Sequence, residues 1–186
     1  MKARPTKKSG VVTLELDRRD EPLMEAATRT AGKPSLKVKR ILVPIDFSDC
    51  SKKALQYALP LAREHRAALT LLYVVSPAYG GAEFGALNYV ELEATMQASG
   101  ETQLAKLVAA EGRSGVVMDT LVRVGSPALE ILAVAKSLPA DLIVISTHGR
   151  TGLKHVFLGS VTEQVVQRAP CPVFVVRECE HEILAS

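Results

Sequence analysis

Between Lys39 and Arg177 the chain alternates two kinds of segment. Short, mostly apolar runs are followed by longer stretches in which apolar residues recur every three or four positions. RILVPI, ALTLLYVV, GVVMDTLVRV, DLIVIS and CPVFVVR are the runs. RILVPI is an uninterrupted apolar strand, as in a parallel sheet covered on both faces. KKALQYALPLAREH carries Ala54, Leu55, Ala58, Leu59 and Ala62 at helical spacing. Pro60 falls inside it and is expected to kink or shorten that helix.

A second helix is predicted from about Tyr89 to Glu111, with Leu92, Met96, Leu104 and Leu107 along one side. ALEILAVAKSL is a third, with Ser126 expected as its N-cap and Pro127 at its first position. SVTEQVVQR is a fourth, ended by Pro170. Ser160 followed three residues on by Glu163 has the form of a capping box. The order β-α-β-α-β-α-β-α-β predicts an α/β fold, an open and mostly parallel sheet with right-handed crossovers. In such sheets ligands bind beyond the carboxyl ends of the strands. Here those ends are PIDFS, VSPAY, RVGS and STHGRTG.

The first 37 residues do not share this rhythm. VVTLEL could form a strand, but nothing nearby obviously pairs with it, and TRTAGKPS reads as a linker. The expected organisation is an N-terminal extension over 1–37, in part disordered, a domain over 38–178 and a short tail over 179–186. Charge separates the first two. Residues 1–37 hold nine Lys/Arg against five Asp/Glu, and the rest hold fourteen against fifteen. The positive excess therefore lies in the extension, four of its charges within MKARPTKK. Such an arm can contact nucleic acid or acidic lipid, or be a solvated tail. The solvated tail is the simpler reading, since no nucleic-acid recognition module accompanies it.

Other classes are set aside by composition. The chain is 47% hydrophobic without Trp, so its core is expected to be aliphatic. Cys50, Cys171 and Cys179 are too few and scattered for a disulfide framework, which fits a reducing, cytoplasmic setting. No apolar stretch reaches membrane-spanning length, and the basic start has no apolar h-region behind it, so neither a membrane span nor a secretory signal is expected. His148, His155 and Asp46 do not make a metal-ligand spacing, and no nucleophile–base pair or matched acid and base is visible, so no catalytic residue is assigned. Cys50, at a helix start, is either a stabilised thiolate or an inert core thiol. Cys171 reads as core.

The segment ISTHGRTGLKHVFLGS, residues 145–160, is where chemistry concentrates. It joins a strand to a helix and carries three glycines, two histidines, one arginine and one lysine. Gly149, Gly152 and Gly159 permit close approach to the backbone. The N–H groups near Ser160, Val161 and Thr162 open a helix and can meet an anion there. The same glycines can equally serve a plain connection. Neither a Walker A loop nor a Gly-x-Gly-x-x-Gly fingerprint is present. Asp46, closing the first strand, is a helix cap, an acceptor for a base amino group or ribose hydroxyl, or a metal ligand through water.

ILVPIDFSDCSKKAL and VISTHGRTGLKHVFLGSVTEQVVQRAPCPVFVV together resemble the universal stress protein family, over about residues 38–177. The resemblance implies a five-stranded parallel sheet in the order 3-2-1-4-5 with helices on both faces, Rossmann-like in the manner of the adenine nucleotide alpha hydrolases. It implies a homodimer through the last strand, Pro172 to Val176. It implies an ATP-binding, stress-responsive regulator of unknown protein partners, at most a weak ATPase, with Mg²⁺ arriving on the nucleotide. A non-nucleotide adaptor of the same fold is the alternative. The ATP-binding pattern Gly-x₂-Gly-x₉-Gly-Ser/Thr is matched at Gly149, Gly159 and Ser160, while its first glycine is Ser146 here. Carried over by position, Pro44, Ile45 and Asp46 would line the adenine and Val74 would meet it through its backbone. Ser146, His148, Gly149 and Arg150 would follow the ribose and phosphates. Gly159, Ser160, Val161 and Thr162 would hold the phosphate tail.

Overall fold

The computed structural model describes residues 2–5, 12–15, 36–76, 86–112, 114–147 and 159–177, with residues 2–5, 12–15 and 86–90 as backbone only. The chain divides into two compact units, residues 1–36 and 37–186. In the first, β1 (Lys2–Pro5) and β2 (Val12–Glu15) pair antiparallel, Lys2 opposite Glu15 and Pro5 opposite Val12. VVTLEL therefore has a partner. It lies at the start of MKARPTKK, a stretch whose four clustered charges, two of them in the strand itself, hide a short extended segment. The linker at 28–35, the loop at 77–85 and the tail at 179–186 lie outside the described residues.

The second unit runs β3 (Arg40–Pro44), α1 (Asp49–His65), β4 (Ala68–Val75), α2 (Ala86–Ala110), β5 (Met118–Val124), α3 (Pro127–Ser137), β6 (Leu142–Ser146), α4 (Ser160–Arg168), β7 (Val173–Val176). The strands form one parallel sheet ordered β5-β4-β3-β6-β7. Counted within the unit this is 3-2-1-4-5, as expected. The order reverses beside β3, so a crevice opens where β3 and β6 end.

Strand residues alternate between the two faces, and the core divides accordingly. Ile41, Val43, Leu69, Leu71 and Val144 pack with Ala54, Leu55, Ala58 and Ala62 of α1 and Leu104 of α2. Leu42, Leu72, Ile143 and Ile145 pack with Ile131, Val134 and Ala135 of α3 and Val165 of α4. At the amino end of the sheet, the Asp141 carboxylate accepts the N–H groups of Lys39 at 2.8 Å and Arg40 at 2.9 Å. This ties the start of β6 to the start of β3. Those bonds, Lys39 first and Arg40 second, hold the Asp141 carboxyl below its ordinary pKa.

Three local expectations change, and the N-cap expectation at Ser126 is met in position. Helix α1 runs through Pro60 to His65 without a break in its assignment. Pro60 and Gln56, four residues earlier, are both exposed, so water can serve the carbonyl that proline leaves unpaired. Leu92 is 49% exposed, whereas Leu104 is fully buried, so the core-facing part of α2 is its second half. Ser126 occupies the N-cap position of α3 in extended geometry but its side chain makes no capping bond. The N-cap of α4 is Gly159, not Ser160, which is the first helical residue. The capping box is thus displaced, and the Glu163 N–H bonds the Gly159 carbonyl as ordinary helix.

Candidate functional site

Three segments converge at the carboxyl end of the sheet. The first follows β3. Asp46 accepts from the Ser48 N–H at 3.0 Å and from the Ser48 hydroxyl. Ser48 is the N-cap of α1, its Oγ accepting from the Ser51 N–H at 3.2 Å. Buried Ser51 donates its hydroxyl to the Ser48 carbonyl at 2.9 Å. Asp46 therefore supports the cap without being it, and the knot fixes its carboxylate at the strand end. Between them Phe47 sits in the left-handed region at φ 67°, a conformation that costs a non-glycine residue free energy and recurs at ligand clamps. Its ring lies 4.7 Å from that of Tyr73.

The second segment follows β6. Ser146 and Thr147 are buried. The Thr147 N–H bonds the Val176 carbonyl, and the Thr147 carbonyl accepts from the Gly159 N–H, both at 2.8 Å. The two ends of residues 148–158 are thus held together. His148, Gly149 and Arg150, together with Gly152 and His155, lie outside the described residues. The third segment is the first turn of α4. Buried Thr162 donates its hydroxyl to the Ser146 carbonyl at 2.7 Å, locking helix to strand. With glycine at the N-cap, no side chain caps the helix, so its leading N–H groups and dipole face the crevice.

The three segments enclose a cleft of about 350 Å³. Pro44, Ile45, Asp46, Val74, Ser146, Gly159, Ser160, Val161 and Thr162 all line it. Its other walls were not singled out in the sequence. Leu72, Tyr73 and Met96 supply apolar surface from β4 and α2, Pro127 and Ile131 from α3, and Ser51, Ser76 and Thr147 add hydroxyls. Only the helical period of Met96 and Ile131 hinted at them, and that period served equally well for core packing. The cleft combines apolar walls with hydroxyls and a helix N-terminus. Asp46 is its one carboxylate among the described residues. A planar apolar ring joined to an anionic tail fits such a lining.

The cysteines stand apart. Cys50 and Cys171 are half-buried thiols that form no disulfide among the described residues. Burial, then the nearby Asp141 carboxylate, raises the Cys171 thiol, so it stays protonated and packs against the α3/α4 core. No three His, Cys, Asp or Glu residues are grouped for a metal among the described residues. No helix among them is long and apolar enough to cross a membrane.

A doubly wound parallel sheet with a cleft at its topological switch defines a Rossmann-like α/β protein. The comparisons make this more specific. Residues 37–177 match the universal stress protein family, and the chain belongs to it. It is 37% identical over 146 residues to a universal stress protein, MJ0531, of Methanocaldococcus jannaschii, covering 77% of this chain and 85% of that one. Among solved structures, the universal stress protein UspA from Lactobacillus plantarum superimposes with a TM-score of 0.64 at 34% identity, over 77% of this chain and 100% of the other. A universal stress protein solved in complex with cAMP shares the fold, with a TM-score of 0.58 at 23% identity, over 75% of this chain and 97% of that one.

Proposed function

We propose that the cleft binds ATP and that binding switches a homodimeric stress-response regulator. The observation that carries this reading is the uncapped first turn of α4 beside the apolar walls of Ile45, Leu72 and Val74. Adenine would lie against those walls, with the Val74 backbone at its edge and Asp46 near the base or ribose. Ser146, with His148, Gly149 and Arg150, would follow the ribose and phosphates. Gly159, Ser160, Val161 and Thr162 would hold the phosphate tail through backbone N–H groups and hydroxyls. Mg²⁺ would arrive on the phosphates and add charge neutralisation there. The cAMP complex of a protein with this fold is consistent with an adenine nucleotide as the ligand class.

Binding rather than turnover is the role assigned. The one carboxylate of the described cleft is held by Ser48 and is poorly placed to activate water. Any hydrolysis is accordingly slow. A cytoplasmic location goes with this reading.

The dimer would form through Pro172 to Val176. Among the described residues β7 pairs only with β6, and its outer edge carries Phe174, 37% exposed, between half-buried Val173 and Val175. An apolar free edge invites a second strand. Sedimentation of wild type and Phe174→Lys tests it, with loss of the dimer in the variant expected.

The adaptor reading rests on Ser146, whose side chain stands where the ATP-binding pattern has glycine. Calorimetric titration with ATP and Mg²⁺ separates the two. Micromolar binding that Gly159→Val removes supports the nucleotide reading. No heat up to millimolar ATP from a folded protein supports the adaptor.

A further inference from the structure

Arg123 is not among the residues that line the cleft, but its neighbour across the strands is. Arg123 belongs to β5 and is in register with Val74 of β4. Register partners in a sheet carry their side chains to the same face, and residues two apart share that face. Leu72 and Leu121 are also register partners, and both pack on the α3/α4 side. Val74 and Arg123 therefore project from that same face, two residues nearer the carboxyl ends of their strands. Leu72, Val74, Pro127 and Ile131 line the cleft at this face and this end.

Arg123 is exposed, and its guanidinium has no hydrogen bond or ion pair among the described residues. Such a cation on an edge strand needs no ligand to be tolerated. Its placement gives it more to do. Asp46 follows β3, and Val74 and Arg123 belong to β4 and β5, so Asp46 and Arg123 lie on the two sides of Val74 on strands about 10 Å apart, two inter-strand steps. One flank offers a fixed acceptor and the other a planar fork of donors. A purine laid over Val74 presents amino or hydroxyl donors and ring-nitrogen acceptors at its edges.

We infer that Arg123 is a ligand-contacting residue that reads the base, its guanidinium donating to acceptor atoms on the outer edge of the ring held at Val74. The inference rests on the nucleotide reading of the cleft. Its chemistry is that of arginine at base edges generally, where the planar fork meets ring acceptors and the stem covers apolar surface. A base contact differs from a phosphate contact in one measurable way, because it is indifferent to the number of phosphates on the ligand.

The test titrates the full-length protein, Arg123→Met and Arg123→Lys with adenosine, AMP and ATP–Mg²⁺ at fixed ionic strength, by calorimetry. The expected result is that Arg123→Met weakens all three ligands by the same factor, roughly tenfold, the scale of one charge-assisted hydrogen bond. Arg123→Lys restores only part, since an ammonium lacks the fork. A loss that grows from adenosine to ATP, and with falling salt, overturns the inference in favour of a charge acting on the phosphate tail. Equal affinities in wild type and Arg123→Met overturn it while leaving the cleft reading intact. A wild type that binds none of the three removes both. Arg123 is exposed on an edge strand, so both variants are expected to fold, and matching urea midpoints confirm it.

Discussion

The hydroxyl of Thr162 donates to the main-chain carbonyl of Ser146 at 2.7 Å, with both residues buried. This single bond spans sixteen positions of sequence and fixes the first turn of α4 against the end of β6. A buried hydroxyl bonded to a buried carbonyl is stabilising chiefly because either group alone would be costly. Thr162→Val keeps the shape and leaves the carbonyl without this donor. The expected loss is about 1–3 kcal/mol, read as a lower urea midpoint with unchanged slope. Thr162→Ser, which keeps the hydroxyl, should recover most of it. Equal midpoints for Val and wild type would show that the carbonyl finds another donor at no cost.

Gly100, in the middle of α2, tests packing against propensity. A Cβ added there would lie 2.4 Å from Tyr73 Cδ1 and 2.7 Å from Cε1. Helix propensity alone favours Gly100→Ala by about 1 kcal/mol. The clash with a ring that also leans on Phe47 opposes it, and forced repacking in a core costs about 1–3 kcal/mol. The net expectation is destabilisation. In a double-mutant cycle, Tyr73→Leu should relieve the alanine penalty and restore the propensity gain. Stabilisation by Gly100→Ala in the wild-type background would mean that the ring moves freely. Tyr73 lines the cleft, so the same variant should disturb ligand affinity.

The central strands were legible because they are covered on both faces and therefore read as unbroken apolar runs, Ile41 to Ile45 and Leu142 to Ile145, whereas edge strand β5 exposes Asp119, Thr120 and Arg123. The order of those strands came from the family resemblance, since periodicity carries no information about neighbours in space. At the cleft, Asp46 and Gly159 announced themselves as a strand-end acid and a loop-to-helix glycine. Tyr73, Met96 and Ile131 did not, because a wall of a cleft and a wall of a core have the same hydrophobic period until the fold brings them together. The cap of α4 was read one residue late for a local reason. Ser160 and Glu163 satisfy the pattern of a capping box, but the backbone of Gly159 takes the extended N-cap conformation at φ −68° and ψ 147°.

Tyr57 offers the opposite case to Thr162. Its side chain is 4% exposed, its ring lies 6.2 Å from that of Phe174, and its hydroxyl finds no hydrogen-bond partner among the described residues. Burying a hydroxyl without a partner costs free energy that phenylalanine avoids. Tyr57→Phe should therefore raise the melting temperature, by the equivalent of about 1 kcal/mol. A clear loss of stability would reveal that the hydroxyl is bonded in solution.

The Asp141 carboxylate gives the fold a pH dependence at low pH. Its two backbone bonds, to Lys39 first and Arg40 second, lower its pKa in the folded chain relative to the unfolded one. A lowered folded pKa means that the unfolded chain binds its proton more readily. The stabilisation is therefore complete above the unfolded value, near pH 4, and is lost as pH falls through the folded value. The carboxylate is partly exposed, so solvent screening limits the effect to about 1 kcal/mol at neutral pH. Asp141→Ala removes the one oxygen that accepts both N–H groups at the amino end of the sheet, far from the cleft. Urea midpoints at pH 7 should place the variant below wild type, and the gap should close as pH is lowered below about 4. ATP affinity at pH 7 should not change. A gap that stayed constant through the acid range would assign the loss to packing rather than to charge.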